Sequence, residues 1–220
     1  MTISSEFLQY VLHGRVPAYS EDELYVIYRK RADLPACQDT KKMFSDMMQR
    51  MSENGTCAKL FDGMWVFPNS EPFAEIADIS CFHSLLVQNA LASLGCRSHK
   101  GGLDVLYEMT LTTVPPKRKI VFADVPSRID IDALLTTKEG KEREVSCIVV
   151  PWKKAGIGNG IIVEKVGKLE YRTSTAKRAI ADAKTLCAST IGKSLGISGQ
   201  SVLIDQIDPD EVEEAVRCGR

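Results

Sequence analysis

The chain has 220 residues, with 28 Lys and Arg against 29 Asp and Glu, and its net charge is -1. Hydrophobic residues make up 44% and charged residues 26%, which is typical of a globular protein with a buried core. The neutral balance excludes a uniformly basic protein, and no apolar run approaches the roughly 20 residues of a membrane span. The N-terminus lacks a signal-peptide pattern, so we expect a cytoplasmic protein with no membrane partner.

The cysteines and histidines show no spacing that is typical of a metal site. The seven cysteines are widely spaced and form no C-x-x-C pair, and the three histidines lie far apart in the sequence. A zinc ribbon or a secreted disulfide framework would need cysteine pairs at short spacing. The sequence therefore predicts reduced thiols and no metal or other cofactor.

Three helices are predicted in the first seventy residues. The first covers Ser4 to His13 and ends before Gly14, a residue that commonly follows a helix. Ser20 begins the second, where Glu23 three residues later completes a capping box. The third begins at Asp39 or Thr40 and ends near Asn54. Its apolar residues recur at helical spacing: Met43, Phe44, Met47, Met48 and Met51.

A β-hairpin is predicted directly after the third helix. Asp62-Gly63 separates two short apolar segments, and this dipeptide is a strong signal for a two-residue hairpin turn. Three helices followed by a hairpin is the order of a winged helix-turn-helix. We therefore predict such a domain over residues 1–70.

In that fold the third helix enters the major groove of double-stranded DNA and the hairpin lies along the backbone. Lysine and arginine suit phosphates, arginine also suits guanine, glutamine suits adenine, and serine suits either base. The predicted DNA-contact residues are Thr40, Lys41, Lys42, Ser45, Gln49, Arg50 and Lys59. The first 70 residues contain eight basic and nine acidic side chains. DNA binding therefore requires that the basic and acidic side chains lie on different surfaces, and we expect it to be weak and sensitive to salt.

A second domain is predicted over residues 76–220, after a proline-containing joint at Pro68–Phe73. Apolar spacing and helix-capping residues predict three helices in this domain. They cover Cys81–Leu94, where the signal is strong, Ala176 to about Ile191, and Asp208 to about Cys218. The predicted strands are Leu103–Thr113, Ile120–Val125, Val145–Trp152, Ile161–Val166, Leu169–Arg172 and Ser201–Ile204. The expected fold class is α+β, with the winged domain followed by a mixed α/β domain that has a small sheet.

An enzymatic alternative rests on three carboxylates. Asp124, Asp130 and Asp132 follow or occupy predicted strands, and they would hold a metal in a nuclease or nucleotidyltransferase if they converged. A polar strand edge explains them equally simply, and we favour that interpretation. Gly156–Gly160 has the wrong glycine spacing for a phosphate-binding fingerprint. The basic run Pro115–Lys119 is interpreted as a solvated loop or an additional phosphate contact.

Three segments resemble the AbiEi-type antitoxins of type IV toxin-antitoxin (abortive infection) systems. The predicted hairpin, Leu60-Phe-Asp-Gly-Met-Trp-Val-Phe-Pro68, is similar to the wing of that family. The helix Phe82-His-Ser-Leu-Leu-Val-Gln-Asn-Ala-Leu-Ala-Ser-Leu-Gly95 is similar to the first helix after its winged domain. The segment Tyr171-Arg-Thr-Ser-Thr-Ala-Lys-Arg-Ala-Ile-Ala-Asp182 resembles a later helix, in which Arg178, Ala179 and Asp182 keep the same relation.

This resemblance implies a transcriptional regulator rather than an enzyme. The winged domain would repress the protein's own operon at inverted repeats, and the second domain would counteract a cognate nucleotidyltransferase-type toxin. Two alternatives remain open at this stage: the metal-dependent enzyme described above, and a module that binds only other proteins. The operator, the toxin and the oligomeric state do not follow from the sequence.

Overall fold

The computed structural model describes residues 5–153, 155–208, 210 and 212. The chain divides into two compact units. The first comprises Met1–Gly95, Asp130–Ser146 and Val166–Leu169, and the second comprises Cys96–Ile129, Cys147–Lys165 and Glu170–Arg220. The fold is mixed α+β with one three-stranded and one six-stranded sheet, so the predicted fold class is confirmed at that level.

The N-terminal part consists of helices and strands of three or four residues. In chain order they are α1 (Ser5–Leu12), β1 (Ala18–Ser20), α2 (Glu21–Arg31), α3 (Gln38–Glu53), β2 (Ala58–Phe61), β3 (Met64–Val66), α4 (Glu71–Ile76) and α5 (Phe82–Ser93). The three predicted helices and the predicted hairpin are therefore present, in the predicted order.

Side-chain capping and aromatic packing fix the first three helices. The hydroxyl of Ser20 accepts a hydrogen bond from the Glu23 N–H at 3.2 Å, as the capping box predicts. The ring of Phe44 on α3 lies 5.6 Å from that of Tyr28 on α2, and Tyr28 packs edge-on against Phe7 of α1. These contacts bring the apolar stripes of α1, α2 and α3 into one core.

The three-stranded sheet has the order β1-β3-β2 and is antiparallel throughout. Gly63 adopts a φ of +74°, the left-handed conformation that the hairpin turn requires and glycine tolerates best. Strand β1 was not predicted. It pairs Ala18 with Val66 and Ser20 with Met64, so it ties the start of α2 to the hairpin.

A helix occupies part of the segment that was predicted as the joint. Ser70 caps α4 by accepting a hydrogen bond from the Phe73 N–H, and Phe73 packs edge-on against Phe82 of α5 at 5.5 Å. Helix α5, which was predicted, buries Leu85, Leu86 and Val87 on adjacent faces. A helix that is apolar on most faces belongs in a protein interior.

The rest of the chain supplies the larger sheet and the helices that accompany it. In chain order its elements are β4 (Ser98–Lys100), α6 (Leu103–Glu108), β5 (Lys119–Ala123), β6 (Ile129–Thr136), β7 (Glu142–Pro151), β8 (Ile161–Val166), β9 (Leu169–Ser174), α7 (Ala176–Ala188), α8 (Thr190–Ser194), a 3-10 turn (Ser198–Gln200) and α9 (Ser201–Asp205).

The six strands have the order β6-β7-β5-β4-β9-β8. The sheet is therefore larger than the small sheet that was expected. Strand β4 is antiparallel to β5 and parallel to β9, while β5 is parallel to β7, so the sheet is mixed. Within the second unit, Ala179, Ile180 and Ala183 of α7 pack with residues of α6, and Leu186 packs with residues of β5 and β7.

Two segments of the second part that were predicted as strands are helical, and one predicted helix ends earlier. Leu103–Thr113 is not a strand, because Leu103–Glu108 forms α6 and buries Leu103, Val105 and Leu106. Ser201–Ile204 is also helical. Helix α7 ends at Ala188 rather than Ile191, because Ser189 is extended and caps α8 instead. The helix predicted from Asp208 to Cys218 lies mostly outside the described residues.

Gly192, the third residue of α8, has no room for a side chain. A Cβ atom there would lie 2.0 Å from the Leu186 carbonyl oxygen. We expect Gly192→Ala to lower the free energy of unfolding by about 3 kcal/mol, because backbone must move to admit the methyl group. Gly199→Ala is the matched control, since open space surrounds Gly199 and a change within about 0.5 kcal/mol is expected. Urea denaturation of both variants measures the difference, and equal losses would contradict the close approach.

Among the described residues, the structure contains no helix with the length and apolar character needed to cross a membrane.

Candidate functional site

Helix α3 presents two chemically different faces. Phe44, Met47, Met48 and Met51 are buried and hold the helix against α1, α2 and the hairpin. The opposite face is exposed and carries Lys41, Lys42, Ser45, Gln49 and Arg50. Five of the seven predicted contact residues therefore share one exposed helix surface, which we call the α3 face.

Thr40 lies on the other side of the helix. Its side chain is 2% exposed, and its hydroxyl lies 3.1 Å from the thiol of Cys37, the residue that precedes α3. A buried hydroxyl in the first turn cannot reach a ligand on the exposed surface. We therefore leave Thr40 out of the candidate site.

Acidic side chains interrupt the α3 face. Asp39, Asp46 and Glu53 are exposed on the same helix, and the Gln49 amide donates a hydrogen bond to Glu53 at 3.0 Å. The face thus carries as many carboxylates as cations. A polyanion would meet attractive and repulsive charges within one helix length, which limits its affinity.

The hairpin supplies the seventh predicted residue. Lys59 on β2 is exposed and pairs with Asp62 in the turn, with 2.7 Å between the ammonium nitrogen and the carboxylate oxygen. That ion pair holds the pKa of Asp62 below its usual range. An exposed pair of this kind is weak, so Lys59 can exchange Asp62 for another anion at little cost.

A basic helix end was not among the predicted contacts. The last turn of α2 carries Arg29, Lys30 and Arg31, directly before the connection that leads into α3. The guanidinium of Arg31 lies 4.9 Å from the centre of the Tyr10 ring, and that of Arg29 lies 5.6 Å from the Tyr25 ring. These three consecutive basic residues can be recognised in the sequence alone. Six residues separate this run from α3, in which Lys41 and Lys42 are the fourth and fifth residues.

Cys37 and the buried cysteines differ in their environment. Cys37 is exposed, and hydrogen bonds from Thr40 hold its pKa below the usual value. Cys57 lies in the core beneath α3, where burial raises the pKa of its thiol to about 12. The six described cysteines are all free thiols.

The second unit contains a buried histidine–aspartate–arginine network. The Nε2 atom of His99 lies 2.9 Å from an Asp182 carboxylate oxygen, and the Arg178 Nε–H donates to the same carboxylate at 2.9 Å. The Gly156 N–H donates to Nδ1 of His99, so the ring proton is on Nε2 and points to Asp182. His99 is fully buried and stacks on Phe122. The network therefore joins β4, α7 and the loop after β7, and its imidazole and carboxylate are shielded from solvent.

A second cluster of charges surrounds Asp104 on α6. Asp104 is fully buried, accepts a hydrogen bond from the Ile120 N–H, and lies 3.5 Å from the Lys119 ammonium. Lys100 and Glu108 form an adjacent ion pair. Burial raises the pKa of Asp104 to about 6, against the opposing effects of the Ile120 hydrogen bond and the two lysines.

This raised pKa predicts a pH-dependent stability. Between about pH 4 and pH 6 the folded protein retains a proton on Asp104 that the unfolded chain releases, so stability falls as the pH rises through that window, by up to about 3 kcal/mol. Asp104→Asn keeps an oxygen acceptor for Ile120 and removes the titration. We expect the unfolding free energy of wild type, relative to this variant, to decline from pH 4 to pH 7. Parallel pH profiles from urea denaturation would contradict the assignment.

The carboxylates of the enzymatic alternative have structural partners. Asp124 accepts hydrogen bonds from the backbone N–H and the guanidinium of Arg97, and Asp132 accepts one from the Ser146 hydroxyl at 2.8 Å. Asp130 and Asp132 are exposed on β6. No group of three or more His, Cys, Asp or Glu residues in the described part of the chain is arranged to hold a metal ion. The convergence of these aspartates that the enzymatic alternative requires is therefore not supported by the described residues.

No protein-family model matches the chain, and no curated protein sequence matches it.

Proposed function

We propose that the chain is a DNA-binding transcriptional regulator whose first seventy residues act as a winged helix-turn-helix. The observation that carries this proposal is the element order α1-β1-α2-α3-β2-β3, closed by a sheet of order β1-β3-β2. In winged domains the short strand between the first two helices pairs with the hairpin, and the third helix is left free to enter the major groove. The pairing of β1 with β3 and the exposed face of α3 support this interpretation.

The α3 face supplies both kinds of DNA contact. Lys41 and Lys42 lie in the first two turns and suit phosphates, while Arg50 lies two turns later and suits a phosphate or a guanine. Ser45 and Gln49 lie between these cations, where they would meet the edges of bases. The amide of Gln49 would exchange its bond to Glu53 for one to adenine.

The basic end of α2 extends this surface. Lys30 and Arg31 end α2, and Lys41 and Lys42 are the fourth and fifth residues of α3, so the four cations lie on either side of the connection between the two helices. Lys59 adds a phosphate contact from the hairpin. This placement separates part of the basic charge from the acidic first turn of α2, which the overall composition does not reveal.

The biological role follows from the resemblance to AbiEi-type antitoxins. We propose that the protein represses its own operon and that its C-terminal domain, residues 76–220, counteracts a cognate nucleotidyltransferase-type toxin. Within the segment of that resemblance, Arg178 and Asp182 belong to the buried network with His99. Their role in this proposal is to hold the second unit together rather than to touch the toxin.

Fluorescence anisotropy with labelled DNA from the region upstream of the gene tests the proposal. We expect Lys41→Ala, Lys42→Ala and Arg50→Ala, combined in one variant, to weaken binding about 100-fold, because three charge-assisted phosphate contacts are lost. The control combines Lys138→Ala and Lys141→Ala, two exposed lysines elsewhere in the first unit, and should bind as the wild type does. Equal affinity of the triple variant and this control would contradict the assignment of α3.

A gain-of-affinity variant tests the same surface in the opposite direction. Asp46→Asn combined with Glu53→Gln removes two carboxylates from α3 while keeping similar shapes. We expect several-fold tighter DNA binding, because two repulsive charges near the phosphates disappear. The same assay measures the change, and unchanged or weaker binding would show that DNA does not approach this face.

A further inference from the structure

The second unit contains a pocket of about 350 Å³ with a basic rim and an apolar floor. The floor includes Ile120 of β5 and Ile148 of β7, both 3% exposed, together with Leu195 and Ile197 after α8. The volume lies at the lower end of the range for small-molecule sites. The pocket therefore suits one small organic ligand with an apolar part.

Three cations are among the residues that line this pocket. Lys117 and Arg118 come from the basic run before β5, and Arg128 precedes β6. Among the described residues that line the pocket there is no carboxylate. Three positive charges beside a low-polarity floor attract an anion more strongly than the same charges in open water.

The two arginines are oriented by the fold. A terminal nitrogen of Arg118 donates to the Cys147 carbonyl oxygen at 3.1 Å, and a terminal nitrogen of Arg128 donates to the Ser194 hydroxyl at 3.1 Å. Each hydrogen bond holds one terminal nitrogen of the planar guanidinium and so fixes its orientation. A guanidinium whose orientation is already fixed loses less conformational freedom when it binds a phosphate or carboxylate oxygen.

We propose that this pocket binds a small organic phosphate monoester, with the phosphate against Lys117, Arg118 and Arg128 and the organic body on the floor at Ile120 and Ile148. A monoester dianion matches the three cations better than a single carboxylate does. The inference does not depend on DNA binding, because the pocket is formed within the second unit.

Isothermal titration calorimetry on the full chain tests this proposal with four probes: AMP, ribose 5-phosphate, adenosine and inorganic phosphate. We expect AMP or ribose 5-phosphate to bind at least about tenfold more tightly than both adenosine and inorganic phosphate, since the site uses a phosphate and a body together. Whichever of AMP and ribose 5-phosphate binds with the higher affinity then shows whether the organic part of the ligand is a nucleoside or a sugar. Equal binding of inorganic phosphate, or no binding of either ester, would overturn the proposal.

Two variants assign the binding to this pocket. Lys117→Ala changes an exposed side chain, and Arg128→Gln removes a guanidinium while keeping a hydrogen-bonding group. Each should weaken binding of the better ester at least about tenfold, whereas Lys168→Ala, an exposed lysine that does not line the pocket, should not. Thermal unfolding of each variant confirms that it is folded. Undiminished binding by a folded Lys117→Ala protein would contradict the pocket assignment.

Discussion

Asp182→Ala is expected to lower the free energy of unfolding by about 3–5 kcal/mol, because it removes one partner from a buried ionic network. The carboxylate is 3% exposed and accepts hydrogen bonds from both His99 and Arg178. Without it, the Nε2–H of a fully buried imidazole has lost its acceptor, and a guanidinium that is mostly buried has lost its counter-charge. Desolvated donors of this kind have no water to replace the lost partner.

Urea denaturation followed by tryptophan fluorescence measures this loss. The chain has two tryptophans, and Trp152 packs against Phe122, which stacks on His99. A Trp65→Phe background therefore leaves a reporter beside the network. Asp205→Ala is the matched control, because Asp205 is exposed and pairs with Lys184 at 3.1 Å, and its loss should be below about 1 kcal/mol. Equal effects of the two substitutions would contradict the structural role of Asp182.

Phe44→Ala is expected to destabilise the first unit by about 3–5 kcal/mol, the usual result of truncating a buried phenylalanine. Phe44 is 2% exposed, and its ring centre lies 5.5 Å from that of Tyr25 and 5.6 Å from that of Tyr28. The substitution leaves a cavity between α2 and α3. Because the same helix carries the α3 face, we also expect weaker DNA binding from a loosened α3.

Ser45→Ala is the control on the same helix. Ser45 is exposed next to Phe44, so its loss should change the unfolding free energy by no more than about 0.5 kcal/mol. Trp65, which belongs to the same core as Phe44, reports the transition in urea when Trp152 is replaced by Phe. Similar stability of the two variants would mean that Phe44 does not hold α3 in its place.

Local signals predicted much of the N-terminal part. The Ser20–Glu23 capping box, the Asp62-Gly63 turn and the apolar spacing of α3 act between residues that are close in sequence, so they can be recognised without the fold. Strand β1 was missed because three residues show no alternation. Its extended conformation depends on pairing with β3, which lies more than forty residues later in the chain.

The two strands that were predicted wrongly illustrate the ambiguity of short apolar segments. Leu103, Val105 and Leu106 fit either an alternating strand or one side of a short helix. The helix forms after Gly102, whose φ of +58° turns the chain, and it buries all three side chains in the second unit. In α9, only Ile204 is buried while Val202 and Leu203 are exposed, so the apolar run does not mark a buried strand.

The candidate sites were predictable to different degrees. The α3 face follows from helical periodicity, which places five of the seven predicted residues on one exposed surface, and only the packing of the helix shows that Thr40 is buried. The His99–Asp182 contact joins residues 83 positions apart and could not be predicted from spacing. The basic run at Pro115–Lys119 was visible in the sequence. Its pocket also needs Arg128 and the segment after α8, which the fold brings alongside.

The salt dependence of DNA binding by the full chain tests the central claim most directly. Affinity for the upstream DNA and for a scrambled sequence of equal length would be measured between about 50 and 200 mM KCl. Four phosphate contacts from Lys41, Lys42, Arg50 and Lys59 predict a slope of log affinity against log salt of about -3 to -4 per bound chain, with tighter binding to the upstream DNA. Absence of binding at about 50 mM salt, or a slope near zero, would contradict the account of the chain as a DNA-binding regulator.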